Sequence, residues 1–289
     1  MHVINIDHLT KRFGKTVAVD DLTLQIEKGE IFGFLGPNGA GKTTTIRCLL
    51  DFIRPSDGHV SIMGYDCQEE SVKVREIVRY VGSGMKLYDN WNGWDHIRVA
   101  QSFRGSDDNL KKYIDLFSYN PDVRVHDLSF GNKQKLMLIL ALVGKPKVLI
   151  LDEPTVGLDP ILQSAIYDVL KGLQDDGTTI FMSSHNLHEV ELLCSRAAII
   201  KNGKLIATES IRGLRQKKLF KVDATFEGGY DAKKFEAANV KITSARPHNL
   251  TLQVQGDVNK VVDLLGKHKL TDLSVVRADL EDVFLDLYR

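Results

Sequence analysis

The stretch Gly36-Pro37-Asn38-Gly39-Ala40-Gly41-Lys42-Thr43-Thr44 constrains this chain more than any other, because a glycine, four residues and then Gly-Lys-Thr specify a backbone shape. Glycines let the chain curl with successive N–H groups turned inward, and a helix leaving the loop aims its positive end at the same place. The pattern predicts a cradle for the phosphates of a nucleotide. Lys42 lies near the β- and γ-phosphates, and the hydroxyl of Thr43 is placed to hold Mg²⁺. The context fits: Ile31-Phe32-Gly33-Phe34-Leu35 reads as a buried strand entering the loop, and residues 43–50 as the helix leaving it. A flexible glycine-rich turn is the bland alternative.

A chain of 289 residues, 43% apolar and 26% charged, has room for one large domain and a small one. Lysine plus arginine equals aspartate plus glutamate at 38 each, so no basic field favours nucleic acid as a partner. Cys48, Cys67 and Cys194 lie far apart without a CxxC pair, which argues against disulfides or zinc and predicts buried, reduced thiols of a cytosolic protein. The opening residues Met1-His2-Val3-Ile4-Asn5 carry no charged-then-apolar leader. No run reaches the roughly 20 apolar residues needed to cross a bilayer, so a role at a membrane is expected to come through another chain.

The first segments, Val3-Ile4-Asn5-Ile6, Val17-Ala18-Val19 and Leu22-Thr23-Leu24-Gln25-Ile26, alternate as antiparallel strands do. Val60-Ser61-Ile62-Met63-Gly64 reads as another short strand, and residues 69–76 as a polar helix. Residues of about 84–145 carry both tryptophans and helix-period patterns, which predicts a helical insertion. Val148-Leu149-Ile150-Leu151 and Thr178-Thr179-Ile180-Phe181-Met182 are continuous apolar runs separated by a helix near 162–173, the pattern of parallel strands with a crossover. Past Gly213 a basic stretch at 215–218 reads as a solvated linker. It leads to a strand at 220–226, a helix-like 232–238, a strand at 250–254, a helix at 258–265 and a final strand and helix.

Leu151-Asp152-Glu153-Pro154 follows one of those apolar runs. A carboxylate at the C-terminal end of a parallel strand sits beside a phosphate loop, so Asp152 can bind Mg²⁺ and Glu153 can polarise a water. Alone, Asp-Glu after an apolar run is often a solvated turn; paired with the loop it is a strong signal.

Between the two lies Leu128-Ser129-Phe130-Gly131-Asn132, and here the chain resembles the ATP-binding subunits of ABC transporters, whose signature is Leu-Ser-Gly-Gly-Gln. Phe130 and Asn132 depart from it. The resemblance implies an α/β fold: a P-loop NTPase core with an antiparallel β subdomain and a helical subdomain, plus a small C-terminal α+β domain. It implies a nucleotide-binding domain over 1–213, with 214–289 as an accessory domain. It implies that Ser129 and Gly131, at a helix N-terminus, receive the γ-phosphate held by a second copy. Asp159, in Val156-Gly157-Leu158-Asp159, takes the place of the loop coupling two sites. His185 takes that of the switch histidine, although a lone histidine after a strand is commonly structural. Phe13 matches the aromatic on which adenine stacks, or is a core phenylalanine at a strand end. Ser83 stands where the family has Gln or Glu, which puts metal contact and coupling in question there. Tyr88, Trp91 and Trp94 either form a groove for a membrane subunit's helix or pack the helical subdomain.

The function so implied is an ATP-hydrolysing, Mg²⁺-dependent motor subunit that dimerises on ATP and drives export through a separately encoded membrane subunit, at the cytoplasmic face of the membrane. The run from Leu151 to Pro160 and the ending Leu280-Glu281-Asp282-Val283-Phe284 look most like exporter ATPases of the drug, bacteriocin-immunity and polysaccharide group. A soluble ABC ATPase acting on ribosomes or DNA, and a weakly hydrolysing regulatory module, are the alternatives.

Overall fold

The computed structural model describes residues 2–82, 85–106, 108–216, 219–236 and 239–277. The chain divides into two units, Met1–Thr208 and Glu209–Arg289. The first opens with a long hairpin of β1 (His2–Phe13) and β2 (Thr16–Glu27) turned at Gly14-Lys15. The two short runs read from sequence at 17–19 and 22–26 are one strand: Asp21 takes a φ of 54° and the register shifts opposite it, so the alternation breaks while the pairing continues.

β3 (Ile31–Leu35) is buried at every residue and runs into the 36–41 loop and α1 (Lys42–Leu49). β4 (Asp57–Ile62) returns to pair with β1, and the two-residue β5 (Tyr65–Asp66) closes a four-stranded antiparallel sheet in the order β2-β1-β4-β5. After α2 (Ser71–Ile77) and β6 (Val78–Gly82) come three helices, α3 (Gly93–Arg104), α4 (Leu110–Leu116) and α5 (Phe130–Leu142). α3 begins at a reciprocal cap, with Asn92 and Asp95 each accepting the other's backbone N–H, and both α3 and α4 pack on α5. The position of Ser83, beyond β6, lies outside the described residues.

β7 (Val148–Asp152), α6 (Pro160–Asp175), β8 (Thr179–Ser184), α7 (Leu187–Leu193), β9 (Arg196–Lys201) and β10 (Lys204–Ser210) complete a six-stranded sheet ordered β10-β9-β3-β8-β7-β6. β9, β3, β8, β7 and β6 are mutually parallel. Covered on both faces, β3, β7 and β8 bury all their residues, which is why they carry continuous apolar runs instead of an alternating pattern, with polar residues only towards their ends, at Asp152, Thr179, Ser183 and Ser184. At the centre of the core Phe181 packs against Phe34 and Phe32, with ring centroids 5.4 and 6.2 Å away.

The second unit begins with α8 (Ile211–Gln216), so the stretch read as a linker is helical as far as Gln216; Lys217 and Lys218 lie outside the described residues. β11 (Leu219–Phe226), β12 (Val240–Arg246), β13 (Asn249–Gln255) and β14 (Leu270–Arg277) form an antiparallel sheet in the order β12-β13-β11-β14. α9 (Asn259–Leu265) places Val261 and Leu265 in one core with Val222, Phe226, Leu250 and Leu252. The helix expected at 232–238 is a single 3₁₀ turn, Ala232–Phe235, capped by Asp231 and ended where Glu236 becomes extended; residues 237–238 lie outside the description. The expected final helix and the Leu280-Glu281-Asp282-Val283-Phe284 ending also lie outside it.

Phe181 has no exposed surface and holds β3 to β8. Phe181→Ala should therefore destabilise the protein by about 3–5 kcal/mol, measured as a lowered urea midpoint with an unchanged slope.

Candidate nucleotide site

The phosphate-loop glycines take conformations that a side chain would oppose. Gly39 and Gly41 have φ of 80° and 111°, and a Cβ on Gly41 would lie 2.6 Å from the carbonyl oxygen of Ala18. The loop is tied down at both ends: Gly36 N–H donates to Ser184 O, and Ala40 O accepts from Gly203 N–H. Pro37, Asn38 and Gly39 are exposed at the loop's crest, whereas Gly36, Ala40 and Gly41 are buried. Thr43 and Thr44, in the first turn of α1, are half-buried.

Lys42 is only 5% exposed, so its ammonium must find partners inside the protein. It donates to Gly36 O at 2.7 Å and Pro37 O at 3.1 Å, and lies 3.2 Å from Glu153 Oε1. Glu153 reaches it from the end of β7 through a left-handed backbone, φ 54°, which turns the chain out of the strand direction. Its N–H donates to Ser183 O and Oγ, both at 3.2 Å. Its other oxygen, Oε2, is 3.1 Å from His185 Nδ1. Lys42, Glu153 and His185 thus form one connected cluster at the ends of three neighbouring parallel strands, β3, β7 and β8.

Asp152 is buried beside them. Ser183 Oγ donates to its Oδ1 at 2.5 Å, and its Oδ2 is buried with no hydrogen-bond partner among the described residues. A buried carboxylate oxygen left open costs free energy unless something binds there, and a cation is the group that fits an acceptor-only oxygen. Among the described residues no cluster of three His, Cys, Asp or Glu could hold a metal. A hard cation at Asp152 would therefore draw its other ligands from hydroxyls, water and phosphate oxygens. Burial first, then the Asp152 charge, pushes the Tyr80 phenol up to about 12.

Ser129 caps α5, its Oγ accepting from Asn132 N–H at 3.3 Å, and Asp159 caps α6, accepting from Leu162 N–H at 2.9 Å. Among the described residues no hydrogen bond or ion pair joins 128–132 to the 36–44 loop. Leu128 is buried, whereas the Phe130 ring, 63% exposed, lies over Gly157, where a Cβ would meet it at 2.8 Å. Gly131 shares the first turn of α5. Phe13 is 51% exposed at the end of β1, which removes the core reading; Lys11 Nζ is 5.1 Å from its ring centroid.

Several polar residues that the sequence reading passed over hold the 153–158 turn. Gln134 of α5 donates to Pro154 O at 3.0 Å, and Gln163 of α6 donates to Leu158 O and Thr155 O at 3.0 and 3.3 Å. Glu189 of α7 accepts from Thr155 Oγ1 at 2.8 Å and from Ser184 Oγ at 2.6 Å, and burial pushes its carboxyl up. A signal for Glu189 existed: it shares the buried face of α7 with Val190 and Leu193, and a carboxylate on an apolar face needs partners. The three cysteines are free and buried, and burial pushes Cys48 to about 11 and Cys67 to about 12, leaving them inert.

The architecture and this cluster define a P-loop ATPase. The family described as ABC transporter matches residues 19–156. The chain is 33% identical over 302 residues to the uncharacterized ABC transporter ATP-binding protein YhcH of Bacillus subtilis, covering 99% of this chain and 95% of that one. It is 31% identical over 300 residues to the bacitracin transport ATP-binding protein BcrA of Enterococcus faecalis, covering 99% and 96%. A solved ATP-binding subunit of an ABC transporter superposes with a TM-score of 0.69 at 27% identity, over 74% of this chain and 92% of that one. The chain belongs to the ATP-binding proteins of ABC transporters and is an ATPase.

Hydrogen bonds to charged groups contribute about 1.5–3 kcal/mol, so Lys42→Ala should weaken ATP binding by roughly 10- to 100-fold. Phe13→Ala should remove no more than a stacking contact of about 1–3 kcal/mol, with little change in ATP-over-GTP preference, because every base has a π-face. Fluorescent-nucleotide titration of both variants checks the pair.

Proposed function

We propose that this protein is the motor subunit of an exporter, in which two copies close around two ATP molecules and drive a separately encoded membrane subunit from the cytoplasmic face. The observation that carries the reading is the Lys42–Glu153–His185 cluster beside a phosphate loop, with no hydrogen bond or ion pair among the described residues joining the Ser129 cap to that loop within one copy. Each copy then offers a phosphate cradle and, elsewhere, a helix N-terminus that can complete the cradle of another. Similarity to a bacitracin transport protein over 99% of this chain supports the export of drug-like substrates.

In this reading Gly36, Gly39, Ala40, Gly41 and Lys42 hold the phosphates, with Pro37, Asn38 and Thr44 around them, and Phe13 stacks on adenine. When ATP binds, its γ-phosphate competes with Glu153 for the Lys42 ammonium, which frees the carboxylate to polarise a water. His185 keeps Nε2 for a phosphate oxygen while Nδ1 stays on Glu153. Thr43 and the open Oδ2 of Asp152 would hold Mg²⁺, which supplies charge neutralisation for the phosphates. Leu128, Ser129, Phe130, Gly131 and Asn132 serve the partner copy's nucleotide, and Asp159 lies at the junction. Residues 1–213 perform this chemistry, with 214–289 as an accessory domain.

The membrane subunit has a suitable dock. A groove of about 650 Å³ is lined by Tyr88, Trp91, Val99 and Phe103, with Arg79 and Arg104 in its wall. The Tyr88 and Trp91 rings pack at a tilt with centroids 4.5 Å apart, and the Nε of Arg79 is buried with no partner among the described residues. Among the described residues no helix is long and apolar enough to cross a membrane, so in this reading the groove supplies the attachment.

Glu153→Gln keeps the shape of the side chain and removes its basicity. We expect ATP binding to persist, hydrolysis to fall by roughly 10²- to 10⁴-fold, and an ATP-bound dimer to accumulate on size-exclusion chromatography. A variant that stays monomeric in ATP and turns over like the parent would remove Glu153 from the chemistry. Phe103→Asp, on an exposed side chain, should abolish co-fractionation with membranes in the native host while leaving the isolated protein's ATPase rate unchanged.

A further inference from the structure

Glu189 is 2% exposed and lies outside every motif that the proposed mechanism uses. A carboxyl group that deep in the protein needs hydrogen bonds to stay, and it has two, each from a residue next to the reacting cluster. Thr155 Oγ1 donates to Oε1 at 2.8 Å, and Thr155 is two residues past Glu153. Ser184 Oγ donates to Oε2 at 2.6 Å, and Ser184 immediately precedes His185. One carboxyl group therefore staples the turn carrying Glu153 to the strand end carrying His185. Those two elements are the ones whose side chains meet at 3.1 Å.

The staple reaches further on the β8 side. Ser184 O accepts from Gly36 N–H, so the strand end held by Glu189 is also the anchor of the phosphate loop. Ser184 Oγ accepts from Asn186 N–H at 2.9 Å, and Asn186 caps α7, the helix that carries Glu189. The position of Glu189 is thus set by the same short segment that it holds. On the β7 side, Glu153 occupies a left-handed backbone, φ 54°, a conformation that persists only where its surroundings enforce it.

We infer that Glu189 is a positioning residue for ATP hydrolysis, which keeps Glu153 and His185 in register across the β7 and β8 ends without touching nucleotide. This rests on the reading in which Glu153 and His185 carry the chemistry. A displacement of about 1 Å at a reacting group can cost on the order of 10²-fold in rate, while ADP lacks the γ-phosphate that competes with Glu153 for Lys42, so its binding by the 36–42 loop depends far less on where Glu153 points. The role therefore predicts a split between turnover and binding.

The test compares Glu189→Gln, Thr155→Val, the double variant, Glu153→Gln and the parent in steady-state ATPase assays, fluorescent-ADP titrations and thermal melts. We expect Glu189→Gln to lower kcat by roughly 10- to 100-fold with ADP affinity within about twofold of the parent. Thr155→Val should move kcat the same way, and the double variant should be no slower than the slower single one, as for residues acting as a unit. Glu189→Asp, which keeps the charge but shortens the reach, should recover only part of the rate. Parental kcat in folded Glu189→Gln overturns the inference, as does a parallel loss of kcat and ADP affinity, which would mark a purely structural role. If Glu189→Gln does not fold, Thr155→Val and Ser184→Ala remove the two donors with the carboxyl group in place, and parental kcat in both overturns the inference. Loss of rate in Glu153→Gln beside full rate in Glu189→Gln would sink the positioning role alone. Full rate in Glu153→Gln would sink the reading beneath it.

Discussion

An ammonium group buried to 5% exposure is costly unless it is surrounded by acceptors, and Lys42 is surrounded by two carbonyl oxygens and a carboxylate. Those acceptors come from residues far apart in the chain: Gly36 and Pro37 precede Lys42 closely, but Glu153 follows it by more than a hundred residues. What brings them together is the strand order, β3 beside β8 beside β7, all parallel, so that three C-terminal ends form one row. The requirement that Lys42 be compensated and the order of the sheet are therefore one constraint. A ligand with phosphate oxygens meets a charge already held in place.

The same row is held by side chains although it is made of turns. The turn after β7 includes a left-handed Glu153, and side chains from three helices hold its backbone or its hydroxyl: Gln134 from α5, Gln163 from α6 and Glu189 from α7. α5 also begins at Ser129, and α6 at Asp159. The helices that present the candidate partner-facing residues are thus bonded directly to the turn that carries Glu153. A shift of α5 or α6 would act on the turn beside Glu153 through these hydrogen bonds, with no need for a long chain of contacts.

Much of the architecture was legible because burial leaves a compositional trace. β3, β7 and β8 are buried on both faces and therefore contain continuous apolar runs, Ile31–Leu35, Val148–Leu151 and Ile180–Met182; α6 shows the 3.6-residue stripe of Leu162, Ile166, Leu170 and Leu173. Elements that bury little were harder to read. β12 has only Val240, Ile242 and Ala245 among polar residues and is a strand because β13 supplies its ladder. The helical pattern at 232–238 stops at Phe235, where the ring goes into the core with Phe226, so tertiary packing overrides a local preference.

The sequence by itself determined which residues carry charge and hydroxyls at the candidate site, and which segments curl around phosphate. Glycines at fixed spacing before Lys42, and carboxylates directly after an apolar run, restrict the backbone locally, and local restriction is what a sequence records. Only the tertiary structure decided that Glu153 and His185 meet, that one oxygen of Asp152 is satisfied by Ser183 while the other stays open, and that Phe13 lies in solvent rather than in the core. It alone showed Glu189 bridging Thr155 and Ser184. These depend on which strands are neighbours and how helices pack across them, long-range relations whose partners leave no mark on the residues beside them in the chain.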